Sequence, residues 1–176
     1  GSHVLGAKVR RSGDRIGETV GMSEPRWLST EEMKAWRGFI EVVGRLNINL
    51  EADLAKHRLA LGDYQVLVYL SEADEHRMRM CDLADMLNLS PSGITRRLDG
   101  LVKAGLVARE RSEADGRVML GVLTPKGYDK LRTVAPQHVG SVREHFIDRL
   151  TPGQIASIGE IFETLRECGD SSANDA

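Results

Sequence analysis

The strongest constraint on how this chain folds is a helix with clear start and stop signals, placed between a shorter helix and a hairpin. Ser90-Pro91 combines a capping hydroxyl with a proline suited to the first helical position, and Gly105 supplies the stop signal. Residues 80–87 have the apolar spacing of a short helix, and residues 106–123 predict a β-hairpin. This order of elements is that of a winged helix-turn-helix.

The turn and the hairpin have the residue types that this order needs. Asn88 stands where a residue in the left-handed conformation would end the short helix. In the return strand, Val118, Leu120 and Val122 alternate with their neighbours, as in a half-buried strand, and residues 112–116 form a polar turn. A small β element is therefore expected beside the helices.

Two longer helices are predicted near the ends of the chain. Ser29 and Glu32 have the spacing of a capping box, which starts a helix that continues to about His57. Thr151-Pro152 starts another helix by the cap-proline signal. Both helices have more apolar surface than a small lobe needs. Their apolar stripes are Met33, Trp36, Ile40, Val43, Leu50 and Leu54 on the first and Ile155, Ile158, Phe162 and Leu165 on the second.

Two further helices connect these parts. One is predicted at about residues 64–71, with no clear start signal, and a polar connection follows at residues 72–77. Thr124-Pro125 repeats the cap-proline signal and starts a helix to about Leu150. The segments together predict a mainly α fold with a small β-wing.

The side chains on the capped helix suit the major groove of DNA. With its apolar face buried, this helix exposes Ser92, Thr95, Arg96 and Asp99. A major groove admits one α-helix, and side chains near the start of that helix reach the base edges. Arg96 could bind guanine O6 and N7, and Ser90 with the first free N–H groups could hold a phosphate.

The overall composition requires that DNA binding rest on local charge, and it argues against a membrane protein, an enzyme and a metal site. The formal net charge is −2, whereas residues 90–117 carry six Lys/Arg against four Asp/Glu, a local balance of +2. No run approaches the ~18 apolar residues of a membrane helix, and no apolar leader is present, so a cytoplasmic protein without membrane contact is expected. No nucleophile elbow, zinc-protease motif or P-loop occurs, so no enzyme, metal or cofactor is predicted.

Three motifs lie at matched spacings in and around the hairpin. They are residues 101–109 (LVKAGLVAR), 115–117 (DGR) and 123–127 (LTPKG). The set resembles the signature of the MarR family (multiple antibiotic resistance regulators), and the resemblance covers about residues 29–167. It departs at Gly116, where many members have arginine, so the wing has one fewer cation.

The resemblance implies an obligate homodimer built by the terminal helices, a pseudo-palindromic double-stranded DNA operator, and repression of genes. It also implies a small phenolic or lipophilic effector between the dimer helices and the DNA-reading part, with Trp36, Ile40 and Tyr64 as candidate walls; for Trp36 a place in the dimer core is equally open. The predicted DNA-binding residues are Ser90, Ser92, Thr95, Arg96, Arg97, Lys103, Arg109, Asp115 and Arg117.

The resulting domain prediction is a single MarR-like domain at residues 29–170. The winged helix-turn-helix is expected at about 60–123 and the dimerisation helices at about 29–57 and 124–168. The first three residues, Gly-Ser-His, resemble the remainder of a cleaved tag. The rest of residues 1–28 is expected to be a flexible arm and residues 171–176 a mobile tail.

Plainer interpretations remain beside these. Arg96 and Arg97 could be solvated helix arginines, and Arg117 could pair with Asp115 with or without touching DNA. The main alternative function is a winged-helix module for protein assembly, which would show an apolar patch in place of a cationic face. Cys81 is expected to be buried and inert. Family members that sense oxidants have their reactive cysteine in the first helix, where this chain has none.

Overall fold

A computed structural model describes residues 25–173 of the chain, with side chains described as far as Glu167. Most of the predicted N-terminal arm therefore lies outside the described residues. The chain divides into two units, and the boundary between them lies at residues 37 and 38. Within the described range, the elements are α1 (Thr30–Ala55), α2 (Leu61–Glu72), β1 (Arg77–Arg79), α3 (Met80–Met86), α4 (Pro91–Lys103), β2 (Val107–Arg111), β3 (Met119–Leu123), α5 (Pro125–His145) and α6 (Pro152–Ala173).

The mainly helical fold with a small β-wing is confirmed. The helix-turn-helix is α3 and α4, and the wing is the antiparallel hairpin of β2 and β3. Asn88 has φ 51° and Gly105 has φ 72°, so both stop signals adopt the left-handed conformation predicted for Asn88. No helix in the described part of the chain is both long enough and apolar enough to cross a membrane.

One apolar core holds α2, α3 and α4 against the sheet. Leu67, Leu83 and Leu98 are fully buried and come from three different helices, while Val107 adds the sheet side. Burying a side chain of this kind stabilises the fold by roughly 1.5–3 kcal/mol. This core fixes α4 with its apolar face inward and its polar face outward.

The structure corrects the predicted connection at residues 72–77. Arg77 begins β1, which pairs with β3 and gives the sheet order β1-β3-β2. β1 has three residues and a single apolar side chain, Met78, so its sequence shows no alternation typical of a strand. The strand forms because β3 supplies its hydrogen-bond partners.

Two helix ends and one burial prediction were also wrong. The helix at α5 stops at His145 because Phe146 leaves helical geometry (φ −138°, ψ −67°), and a 3₁₀ turn follows. Helix α6 continues to Ala173, into the predicted tail. Cys81 is exposed, because the inward face of α3 is formed by Leu83 and Ala84.

Candidate nucleic-acid interface

The start of α4 is exposed and capped from within. The Ser90 hydroxyl accepts a hydrogen bond from the Gly93 N–H at 3.1 Å and lies 3.1 Å from the Ser92 hydroxyl, while Pro91 occupies the first turn. The first-turn N–H groups of a helix carry partial positive charge and favour an anion. This end of α4 can therefore accept a phosphate.

The outward face of α4 is mainly polar. Its exposed polar residues are Ser92, Thr95, Arg96, Asp99 and Lys103, and Val102 is the one large apolar side chain of this helix that is exposed, at 37%. The Thr95 hydroxyl donates to the Pro91 carbonyl at 2.8 Å, so this hydroxyl is already hydrogen-bonded within the helix. Among the described residues, the exposed Arg96 side chain has no hydrogen bond or ion pair, so its guanidinium is free to bind a base edge.

Arg97 is directed away from this face. Its Nη1 lies 3.2 Å from Asp63 Oδ1 on α2, and its side chain is only 28% exposed. The guanidinium fills the space above Gly62, where an added Cβ would lie 2.2 Å from Nη1. The structure thus separates Arg97 from the neighbouring Arg96.

Arg109 on β2 is likewise engaged inside the protein. Its Nη1 donates to Asp99 Oδ1 at 2.7 Å and its Nη2 donates to the Thr95 carbonyl at 2.6 Å. Both acceptors belong to α4, so this arginine holds the hairpin against the helix.

The wing turn is shaped by a carboxylate that acts on the backbone. Asp115 Oδ1 accepts the Arg117 backbone N–H at 2.9 Å, an arrangement typical of aspartate in turns. Arg111 Nη1 donates to the Gly116 carbonyl at 3.2 Å. The Arg117 guanidinium is exposed and has no partner among the described residues. Asp115 therefore fixes the turn rather than pairing with that cation.

The LTPKG motif holds the C-terminal end of α4. The Thr124 hydroxyl accepts from the Gly127 N–H at 3.0 Å and donates to the Gly105 carbonyl at 2.8 Å. Lys126 Nζ donates to the Ala104 carbonyl at 2.7 Å. Sequence reasoning assigned no role to Lys126, although its place in the motif was visible.

A cavity of about 270 Å³ lies between the end of α1 and the middle of α5. Its lining combines the apolar Leu54 and Val134 with polar side chains that include His57, Gln137 and Glu144. Of the predicted effector walls, Ile40 and Tyr64 are not among the lining residues, and Trp36 belongs to the other unit.

Asp53 ties α1 to α5 at the edge of this cavity. Its carboxylate accepts from Lys56 Nζ at 2.6 Å and from the buried Ser141 hydroxyl, and His145 Nε2 lies 3.5 Å away. The hydrogen bond from Lys56, followed by that from Ser141, lowers the pKa of Asp53 to about 2.

His138, also on the cavity wall, packs against Tyr64 with ring centroids 4.3 Å apart and ring planes tilted by 45°. Burial lowers the pKa of His138, because the charged imidazolium would lose its hydration. The cavity is therefore lined at this point by a neutral imidazole near neutral pH.

The chain is similar to known transcription regulators. A model of the MarR family matches residues 59–118. The crystal structure of AbsC, a MarR family transcriptional regulator from Streptomyces coelicolor, is 40% identical with a TM-score of 0.80, over 84% of this chain and 99% of that one.

Sco3205, a MarR family transcriptional regulator from the same organism solved in complex with DNA, is 38% identical with a TM-score of 0.78, over 83% of this chain and 92% of that one. The HTH-type transcriptional repressor YetL of Bacillus subtilis is 27% identical over 76% of this chain and 81% of its own length.

Proposed function

The chain belongs to the MarR family of transcription regulators, and we propose that it is a homodimeric repressor that binds a pseudo-palindromic DNA operator and acts in the cytoplasm. It is accordingly a regulator and not an enzyme. The observation that carries the proposal is the outward face of α4, which is exposed, polar and headed by a capped helix start. The similarity to Sco3205, which was solved with DNA bound, supports the same function.

In this proposal α4 lies in the major groove. Arg96 reads a guanine through O6 and N7, the Thr95 methyl contacts a thymine methyl, and Ser92 lies at the base edges. Ser90 and the first-turn N–H groups hold a phosphate, and Lys103 contacts the backbone at the other end of the helix.

The wing adds a second contact. Arg117 inserts toward the minor groove, whose negative potential is strongest where A·T steps narrow it. Asp115 contributes by holding the turn that presents Arg117.

Dimerisation is supported by the apolar surface of the terminal helices. None of the described side chains of α6 is buried, and Ile161 and Leu165 are 54% and 62% exposed. On α1, Val42 and Ile48 are 53% and 69% exposed. A twofold-symmetric dimer presents two copies of α4, which matches a palindromic operator.

We further propose that a small ligand releases the operator by binding in the cavity between α1 and α5. Leu54 and Val134 can contact an apolar ring, while His57, Gln137 and the neutral His138 can hydrogen-bond to a carboxyl or hydroxyl group. The ligand releases DNA only if it prefers the conformation that does not bind the operator.

The decisive experiment is an unbiased selection of DNA sequences by the purified protein. We expect a palindromic consensus with one guanine per half-site that depends on Arg96. The Arg96→Ala variant should lose roughly 1–3 kcal/mol of operator binding and its preference at that position. Arg45→Ala, an exposed arginine on α1, is the matched control and should bind normally.

The alternative of a protein-assembly module makes the opposite prediction. Such a module would present an apolar patch on α4, whereas the exposed side chains of this helix are mostly polar and include a single large apolar one, Val102. Recovery of no consensus in the selection, together with an unchanged Arg96→Ala variant, would favour assembly.

A further inference from the structure

Arg97 follows Arg96 directly, yet the two guanidinium groups have different surroundings. Arg96 is exposed, while Arg97 is 28% exposed and bonded to Asp63 on α2. The Nε atom of Arg97 is also buried. An arginine held in this way cannot reach DNA without breaking an ion pair that is itself largely shielded from water.

Gly62 provides the space for this arrangement. A Cβ at this position would lie 2.2 Å from Arg97 Nη1 and 2.4 Å from Cζ, so only glycine leaves the guanidinium in place. Glycine has no other evident use in the first turn of α2, where alanine is the better helix former.

Asp63 connects this contact to the framework of the fold. One of its carboxylate oxygens accepts the Ala60 N–H at 3.3 Å at the start of α2, and the other accepts from Arg97. The residue after it, Tyr64, is buried in the core. The middle of α4 is therefore bonded to a fixed point on α2.

We propose that Arg97 and Asp63, with Gly62 as the seat of the guanidinium, are positioning residues that set the orientation of α4 for base reading by Arg96. Arg97 does not contact DNA. A two-pronged contact to guanine requires the reading side chain to be placed within about 0.5 Å and 10–20°. The inference rests on the proposed operator binding.

The test compares Gly62→Ala, Asp63→Asn and Arg97→Ala with the wild type on the selected operator and on a scrambled duplex of equal length, over a salt series. Gly62→Ala displaces the guanidinium without changing charge. We expect all three variants to bind the operator roughly tenfold more weakly, with flattened preference at the guanine read by Arg96. Binding of Gly62→Ala and Asp63→Asn to the scrambled duplex should stay within about twofold of the wild type.

The salt dependence separates positioning from contact. A phosphate contact by Arg97 adds about 0.9 per subunit to the slope of log K against log salt, and its loss in Arg97→Ala would reduce the slope by that amount on both duplexes. A positioning residue leaves the slope on the scrambled duplex unchanged. Thermal unfolding shows whether each variant is folded. If Asp63→Asn does not fold, Gly62→Ala still tests the proposal.

The two hypotheses also predict opposite signs for Asp63→Asn. If Arg97 contacts DNA, removing the carboxylate frees a cation and operator binding becomes tighter, which would overturn the inference. Normal operator binding by folded Gly62→Ala would do the same. If the wild-type protein itself selects no sequence, the proposed function fails and this inference fails with it; if the wild type selects an operator that the variants bind equally well, only the inference fails.

Discussion

The DNA-reading lobe, residues 60–123, and the terminal helix α6 differ in how far their apolar side chains are buried. Leu67, Leu83 and Leu98 in the lobe have no exposed surface. On α6, the most deeply placed of the described side chains is the half-buried Ile158. The lobe buries its apolar side chains in a core that Leu54 of α1 and Val134 of α5 help to close, whereas the described part of α6 leaves its apolar side chains exposed or half-buried.

This difference shows which part of the sequence specifies its own structure. The lobe has capped helix starts, left-handed stops and a sheet, all of which act on residues within the lobe. Helix α6 has a capping box at Thr151 and Gln154, but none of its described side chains is buried. Its sequence specifies a helix with an apolar surface, which in the proposed dimer would pack against the partner subunit.

The sharpest contrast is between two leucines. Leu98→Ala should lower the free energy of unfolding by roughly 2–5 kcal/mol, because it leaves a cavity in a closed core. Leu165→Ala, at a position 62% exposed, should change the intrinsic stability of the subunit little. Urea unfolding at several protein concentrations measures both, and equal losses that do not vary with concentration would remove the contrast.

The open surface of α6 gives the next largest effect. Leu165→Asp places a charge on the proposed dimer interface and should weaken the dimer by roughly 3 kcal/mol, more than a hundredfold. Sedimentation at micromolar concentration measures the dissociation. Glu160→Ala, on the other side of the same helix, is the control. A folded wild-type monomer at that concentration would contradict the role given to α6.

The close contact between the lobe and the first turn of α5 should be sensitive to a single methyl group. At Gly127 an added Cβ would lie 2.0 Å from the Leu106 carbonyl oxygen, which belongs to the backbone and cannot swing aside. Gly127→Ala should therefore cost about 1–3 kcal/mol of stability. Gly100→Ala, with open space around it, should instead stabilise α4 by roughly 0.5–1 kcal/mol. Thermal unfolding of both variants decides whether the junction is as rigid as its geometry indicates.

Whether an element could be predicted from the sequence depends on how far along the chain the residues that determine it lie. Ser90, Thr124 and Thr151 act within one turn of chain, so the starts of α4, α5 and α6 were predicted correctly. The strand at Arg77–Arg79 exists through pairing with β3 and has no local signature. The end of α5 depends on Phe146, whose apolar side chain fits a continuing helix as well as a break.

The candidate site divides in the same way. The exposure of Arg96 and Thr95 follows from helical periodicity and was predictable. The partners of Arg97 and Arg109 lie 34 and 10 residues away, and both arginines were therefore grouped with the outward cations. Residue type alone does not distinguish an arginine that reads DNA from one that holds the helix in place.

The polar contact between α1 and α5 should show in the pH dependence of stability. The pKa of Asp53 is about 2 in the folded protein, against 3.8 without these contacts. Its stabilising contribution is present above pH 4 and is lost as the pH falls toward 2. Asp53→Asn should lower stability at neutral pH and reduce the difference between pH 5 and pH 3. Denaturation midpoints at these pH values test this, and an unreduced difference would assign the acid sensitivity to other carboxylates.

The smallest effect belongs to the wing, whose turn is exposed at residues 113–117. At the tip of the wing, Arg117 is an exposed cation, whereas Arg111 donates a hydrogen bond to the Gly116 carbonyl. Arg117→Ala should therefore weaken operator binding more than Arg111→Ala does.

An added Cβ at Gly116 meets no atom within 4 Å, so arginine can be introduced there without strain. Gly116→Arg should tighten binding at low salt and steepen the slope of log K against log salt by about 0.9 per subunit, with little change in base preference, because a wing cation neutralises phosphate rather than reading bases. Binding of all three variants over a salt series decides it. An unchanged slope in Gly116→Arg, with normal binding by Arg117→Ala, would mean that the wing stays clear of DNA and that the lobe reads its operator through α4 alone.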